Sequence, residues 1–499
     1  MTGSKRIPLL LAVISAVFLY LCLFVLPATP RLHPGDQFIN FENARRMSQG
    51  EMLYRDIFQY TLPGTELLEL PLIYIFGAKL ALSSALLIAV GVIDVLLAFV
   101  LASSVLSVSD AILASLFFLG FGFHNALDAT HHQFSILFVY AATAVIIKRR
   151  SAPALVACGT LLGLATVFTQ TRALVAIAVA IFVAWESRVN PEHERKLWRN
   201  ELRLLVPFVL VVAAASAYVV GDASWEVFYR DVVKFPILYY RSGGSNSFIS
   251  SLFQDYYPNL VGISRWIVLK LALPAIYPVF AIYYWRAPKR GADAPPRANV
   301  LLAVVGFALL VTFSYAPLYV RLGTVSLPAI IIALWMLRQT GTKVWRPVLW
   351  AATVLFLVWE PIHSQMQPYW LFDSRAGRLA AADPDTQAEL AWLTEHTRPG
   401  EKFFATSDPV IYILMDLQNP TALPFIEPND YTRPYQVLRL VKRLQEFRPR
   451  YIYWSFQPGD ADQPGGRLYP LSVELHNSYQ PVKSLNGSEI WELKPDPRR

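Results

Sequence analysis

Long apolar runs recur through the first three-quarters of the chain and then cease. A lipid-spanning helix needs about 20 predominantly apolar residues, because every backbone amide must find its partner inside the segment. Eleven stretches fit: Ile7 to Leu26, Ser84 to Leu106, Asp110 to Phe123, Phe134 to Ile147, Ala152 to Phe168, Ala173 to Trp185, Leu204 to Val220, Ile263 to Tyr284, Val300 to Tyr315, Leu322 to Leu337 and Val348 to Trp359. The first follows Lys5 and Arg6 as a signal peptide would, but its apolar core exceeds the usual ~7 to 15 residues, so it is read as a retained helix. Two regions escape this pattern. One is the first loop, residues 27–79, with helical spacing over Phe38 to Gly50. The other is residues 363–499, where Asp385 to His396 and Tyr435 to Phe447 read as helices. Lys402 to Thr406, Arg450 to Phe456 and Glu489 to Leu493 read as strands. The expected architecture is a polytopic α-helical membrane domain, residues 1–362, followed by a soluble α/β domain, residues 363–499.

Composition agrees with this division. The 499 residues are 55% hydrophobic and only 16% charged, with a formal charge of +8. In a soluble chain that excess would suggest nucleic acid, but here the basic residues gather between apolar runs, where they act as topology signals. Nucleic-acid binding is therefore not expected. Basic clusters follow the fourth span (Lys148, Arg149, Arg150), the sixth (Arg188, Arg195, Lys196, Arg199, Arg203), the eighth (Arg286, Lys289, Arg290, Arg297) and the tenth (Arg338, Lys343, Arg346). Every cluster follows an even-numbered span, which places the amino terminus in the cytoplasm and residues 363–499 outside. A full span over Leu67 to Leu82 would reverse all four loops, so that stretch is read as interfacial or re-entrant. Cys22 and Cys158 lie inside apolar runs and are read as packing residues.

Candidate chemistry concentrates on the outer side. Asp36, just before the first-loop helix, is either an N-cap or a carboxylate able to take a proton from an incoming hydroxyl. Arg172 lies in the tight turn between the fifth and sixth spans and Arg321 at the outer start of the tenth; the alternative for Arg172 is an interface anchor. His131 and His132 open the fourth span after His124 and Asp128, a grouping that raises either a metal or a phosphate contact. Lys270 lies within the eighth span and is a functional candidate or a snorkelling side chain. Asp94 reads as an interhelical hydrogen-bond partner. Trp225, Tyr229, Arg230, Tyr239, Tyr240 and Arg241 mix aromatic and basic groups, suited equally to sugar and phosphate contact or to an interfacial belt. Two Asp-x-Asp triplets, Asp383-Pro384-Asp385 and Asp460-Ala461-Asp462, fall in turns that favour Asp anyway. No Gly-rich phosphate loop precedes a helix in a cytoplasmic segment, which argues against an ATP-driven transporter.

The early Asp36, the Ala44-Arg-x-Met-x-x-Gly50 helix, the Tyr54-x-Asp56 element and the proline steps Leu62-Pro63-Gly64 and Leu70-Pro71 together resemble the bacterial GT-C membrane glycosyltransferases. The likeness is to the branch with protein mannosyltransferases and the lipid A aminoarabinose transferase. It implies a polyprenyl-phosphate sugar donor, a lipid, polysaccharide or protein acceptor, and residence among the lipids of the bacterial cytoplasmic membrane, with a catalytic Asp in the first outer loop. On that resemblance Asp36 is the base. Relatives often carry a second acid beside it; Gln37 stands there, which leaves Asp56 or Glu42 as partner. Arg172 matches a position where relatives often have Lys. Arg321 begins a partial match to the family's Arg-Tyr-x-x-Pro stretch, with Leu322 in place of Tyr. Arg172, Arg321, Lys270, His131 and His132 would steady the departing phosphate in an inverting transfer. No cofactor is required; a divalent metal is compatible but not indicated. The alternative is a lipid-linked-sugar flippase or another secondary transporter, against which the concentration of charge at one face argues.

Overall fold

The computed structural model describes residues 6–33, 35–189, 197–240, 251–253, 260–287, 296–314, 317–456, 461–485 and 487–495. All eleven apolar stretches fall on helices. Among the described residues six helices are long and apolar enough to cross a membrane: Arg6–Leu23, Leu80–Ala102, Val108–Ala126, Leu197–Asp222, Gly262–Arg286 and Trp345–Met366. Ala152–Phe168, Arg297–Thr312 and Leu327–Gln339 are shorter apolar helices. The chain is a polytopic helical membrane protein that also carries a sheet-containing region. Its internal contacts divide it into two units.

The first unit comprises Met1–Leu23, Ala85–Ser216 and Ser247–Met366. Small residues let its helices approach closely. A Cβ on Gly159 would stand 2.0 Å from the Leu204 carbonyl oxygen, and one on Gly163 would stand 2.9 Å from Val211 Cβ. This Gly-x-x-x-Gly face therefore fixes the helix Ala152–Phe168 against Leu197–Asp222. Charges near helix ends are paired: Arg346 with the buried Asp110 at 2.9 Å, and Arg150 with Glu186 at 2.6 Å. Two expectations change. The stretch Leu322 to Leu337 is two helices, Tyr319–Thr324 and Leu327–Gln339, separated at Val325 and Ser326. Pro328, in the first turn of the second helix, has no amide to bond back to the Thr324 carbonyl and its ring crowds that oxygen, so the first helix ends at Thr324. Asp94 is fully buried, but among the described residues neither carboxylate oxygen has a hydrogen-bond partner, so the interhelical bond expected of it is not seen there.

The second unit comprises Phe24–Ser84, Ala217–Asn246 and Gln367–Arg499. Strands β1 (Phe24–Val25) and β2 (Thr29–Pro30) form a short ribbon, and β3 (Trp370–Ser374) pairs antiparallel with β4 (Gly377–Ala381). The main sheet runs β5 (Phe403–Ala405), β6 (Tyr451–Trp454), β8 (Ser488–Leu493), β7 (Tyr479–Leu485), with only the β5–β6 pair parallel. All four β6 residues are buried, as a strand covered on both faces requires. The helices Pro384–His396, Pro434–Phe447 and Tyr469–Ser478 accompany this sheet. Asp383 caps the first of them, accepting from the Thr386 amide at 2.7 Å, which gives the first Asp-x-Asp triplet a structural role. Asp460 of the second triplet lies outside the described residues. The first loop is not an appendage: Phe38, Phe41 and Ala44 of helix Gln37–Ser48 share a core with Leu390, Phe403, Tyr412 and Tyr453. The segment Leu67 to Leu82 resolves into the end of helix Gly64–Phe76, a stop at Gly77, and the start of Leu80–Ala102.

Candidate functional site

Within the first unit, four residues singled out from the sequence converge. A 3-10 turn, Gln170–Arg172, joins the helices Ala152–Phe168 and Ala173–Val189, and the Arg172 side chain is fully buried. Arg172 Nε donates to Ser135 Oγ at 3.1 Å and Nη1 to Thr312 Oγ1 at 2.5 Å, while its guanidinium lies 4.6 Å over the Phe313 ring. Helix His131–Lys148 presents His131 and His132 side by side, ring centroids 4.0 Å apart, and His132 meets Phe313 edge-on at 5.1 Å. Thr169 Oγ1 ties the turn to the His131 carbonyl at 3.2 Å. Arg172 and Arg321 both lie close enough to act on the charge of both histidines. Arg321, on helix Tyr319–Thr324, is itself buried. Two arginines and two imidazoles thus concentrate positive and hydrogen-bonding potential in a low-dielectric setting, which suits an oxyanion.

Lys270 is engaged differently. Its ammonium donates to the carbonyls of Ser251 (2.6 Å) and Leu252 (3.0 Å) and lies 4.8 Å over the Tyr319 ring, two residues before Arg321. The side chain is buried within the unit, so it does not snorkel. It ties helix Tyr319–Thr324 to the segment before the eighth apolar stretch.

Within the second unit the three acids differ sharply. Asp36 occupies the N-cap position of helix Gln37–Ser48, yet its carboxylate makes no capping hydrogen bond, and it is exposed. It lies near enough to Tyr431 to act on it electrostatically. Tyr431 belongs to an aromatic cluster with Phe58, Tyr60, Phe235 and Tyr240. Glu42 is fully buried and accepts twice from Arg45, at 2.7 and 2.9 Å. Burial raises its pKa even though Arg45 pulls the other way. Asp56 accepts from Arg55 at 2.6 Å and from the Met52 amide at 2.9 Å, closing the turn in which Tyr54 takes a positive φ of 68°. The bond from Arg55 lowers its pKa. Glu42 and Asp56 are thus saturated by their own neighbours.

The aromatic and basic loop residues join the second unit's packing. Tyr239 lies under Arg433 (3.8 Å), Tyr240 against Tyr60 (5.2 Å), and Arg230 pairs with Asp231 at 2.7 Å. Trp225 and Tyr229 are exposed, and Arg241 lies outside the described residues. Among the described residues no three His, Cys, Asp or Glu side chains are grouped to hold a metal ion.

Sequence reasoning missed a buried polar network. Gln59 Nε2 donates to Glu66 at 2.5 Å and to Asn40 at 3.3 Å, and Asn43 reaches Glu66 at 3.4 Å. One Glu66 carboxylate oxygen has no hydrogen-bond partner among the described residues, and burial raises the group's pKa. Asn40 and Asn43, one turn apart on a helix that also carries Phe38 and Phe41, were the available signal.

No family model and no curated protein matches the chain. Solved structures do. ArnT from Cupriavidus metallidurans, bound to undecaprenyl phosphate, superposes over 98% of both chains with a TM-score of 0.59 at 14% identity. The chain has the GT-C fold. The archaeal oligosaccharyltransferase AglB from Archaeoglobus fulgidus, in complex with an inhibitory peptide and a dolichol-phosphate, aligns with 97% of this chain and 74% of its own at a TM-score of 0.53 and 12% identity. Within this GT-C fold, Arg172, Arg321, His131 and His132 lie in the helical unit and Asp36 in the sheet-containing one.

Proposed function

We propose that the protein transfers a sugar from a polyprenyl-phosphate donor to a hydroxyl or amine acceptor on the outer face of a bacterial cytoplasmic membrane, with its amino terminus in the cytoplasm. The observation that carries this reading is the convergence of Arg172, Arg321, His131 and His132, in a fold shared with a protein bound to undecaprenyl phosphate. In the proposed step Asp36 accepts the acceptor's proton, the freed lone pair forms a bond to the anomeric carbon, and the bond from that carbon to the phosphate oxygen breaks. The electron pair leaves on the polyprenyl phosphate, whose new negative charge the two guanidiniums receive. Backside displacement inverts the anomeric centre. No general acid is required, because the phosphate is a stabilised leaving group. Of the three first-loop acids, Asp36 is the exposed one, while Glu42 and Asp56 are held by Arg45 and Arg55, which supports its assignment over them.

The test is to reconstitute the purified protein in vesicles with radiolabelled polyprenyl-phosphate sugars and to follow free polyprenyl phosphate and labelled acceptor. Donor cleavage coupled to acceptor labelling is expected. Label crossing the bilayer on intact donor would establish a transporter and contradict the proposal.

A further inference from the structure

The second unit holds a cavity of about 670 Å³ whose lining includes none of Asp36, Arg172, Arg321, His131 and His132. That volume is within the range of small-molecule sites. One wall is the helix Pro434–Phe447, whose apolar side (Val437, Leu440, Leu444) is buried in a core while Tyr435, Arg439, Lys442, Arg443 and Glu446 recur at helical spacing along the cavity. The opposite walls come from the first loop, the segment around Arg230, and Lys402 with residues Gln418 to Leu423.

Seven arginines and lysines line this cavity against four carboxylates. Each carboxylate is matched to one arginine: Glu51 to Arg46 at 2.5 Å, Asp56 to Arg55 at 2.6 Å, Asp231 to Arg230 at 2.7 Å, and Glu446 to Arg443 at 3.4 Å. Lys402, Arg439 and Lys442 are left over; among the described residues none of them has a carboxylate in ion-pair range. Aromatic rings order these cations. Lys402 and Arg443 lie 3.6 and 4.4 Å from the Phe447 ring centroid, and Arg230 and Arg439 lie 5.6 and 6.0 Å from that of Tyr435. In addition Arg46, whose side chain is 3% exposed, has a buried Nη1 with no hydrogen-bond partner among the described residues.

We propose that this cavity binds a saccharide carrying a carboxylate or phosphate group, with Lys402, Arg439 and Lys442 receiving the anion. The volume exceeds what an inorganic ion fills, and the mixture of ordered cations, amide side chains and ring edges suits a ring bearing both hydroxyls and charge. That such a saccharide is part of the acceptor rests on the glycosyltransferase reading; the binding itself does not.

The experiment is calorimetric titration of the full-length protein in neutral detergent with tetragalacturonate and glucose 6-phosphate, against maltotetraose and inorganic phosphate. An anionic saccharide is expected to bind at least about tenfold more tightly than maltotetraose and than inorganic phosphate. Affinity should weaken with salt and fall about tenfold in the Arg439→Ala, Lys442→Ala double variant, whose two sites are exposed and whose melting temperature should stay unchanged. Lys402→Ala provides a second, independent perturbation. Asp36→Asn should bind these probes as the wild type does even if it fails to transfer sugar, which separates this proposal from the catalytic one. Equal affinity for charged and neutral saccharides, or binding that survives both sets of substitutions, overturns it. So does inorganic phosphate matching the saccharides, or binding only to phosphatidylglycerol nanodiscs, which would make the cavity a lipid-surface contact.

Discussion

Replacing Arg172 separates charge from geometry at the proposed phosphate site. Ser135 Oγ and Thr312 Oγ1 receive its fork but already donate to their own helix, to the His132 carbonyl at 2.9 Å and the Leu309 carbonyl at 2.6 Å. Loss of the arginine therefore strands no donor on either hydroxyl, and Arg172→Gln, close in length and neutral, should fold. Undecaprenyl phosphate is the leaving group in its fully charged form, so its binding reports the charge stabilisation that the reaction develops. Removing one positioned oxyanion partner costs about 3–4 kcal/mol, or roughly 10²- to 10³-fold. Arg172→Lys keeps the charge but loses the planar fork that reaches both hydroxyls; forgoing one hydrogen bond to a charged group, about 1.5 kcal/mol, gives roughly tenfold. Titration of undecaprenyl phosphate into detergent-purified protein by native mass spectrometry reads both. Affinity within threefold of wild type in a folded Arg172→Gln protein would refute the phosphate role.

Three further outcomes follow from the same geometry. Arg45→Ala should destabilise the protein by about 3–5 kcal/mol, because it strands the buried Glu42 carboxylate and removes the bond to the Leu417 carbonyl, and a melt in detergent would show it as a large drop in transition temperature. Leu substituted at Gly159 should block close packing on Leu204, seen as loss of folded monomer on size exclusion. Glu389, partly buried and bonded by the Tyr453 hydroxyl at 3.3 Å, has its pKa raised to about 7, chiefly by burial. An acid with a raised folded-state value binds its proton more tightly when folded, so stability is greatest below about pH 4.5 and declines as pH rises through 7. The ceiling is about 3 kcal/mol, reduced to roughly 1–2 by the solvent that reaches the group. Glu389→Gln should flatten that decline, raising stability at pH 8 relative to wild type.

The sequence carried much of this because membrane insertion and sheet burial impose strict patterns. Ten of the eleven apolar stretches kept to the expected helical regions while Leu322 to Leu337 divided in two, and Tyr451–Trp454 and Ser488–Leu493 formed where aromatic and β-branched residues cluster. The break at Val325 and Ser326 was legible only through Pro328, which cannot make the helical bond back to Thr324. Strand β7 escaped notice because Tyr479–Leu485 is largely exposed and has no apolar alternation. The separate fates of Asp36, Glu42 and Asp56 depend on which arginine folds back onto which acid, a tertiary outcome that spacing does not encode. Arg172 with Ser135 and Thr312 joins residues from three separate helical regions, so only the fold reveals its partners.

The most direct test of the account is single-turnover transfer from a radiolabelled polyprenyl-phosphate sugar by Asp36→Asn protein that still binds undecaprenyl phosphate. The account predicts a fall in transfer rate of about 10²- to 10⁴-fold with lipid-phosphate affinity unchanged. Transfer at the wild-type rate by that folded, lipid-binding variant would contradict it.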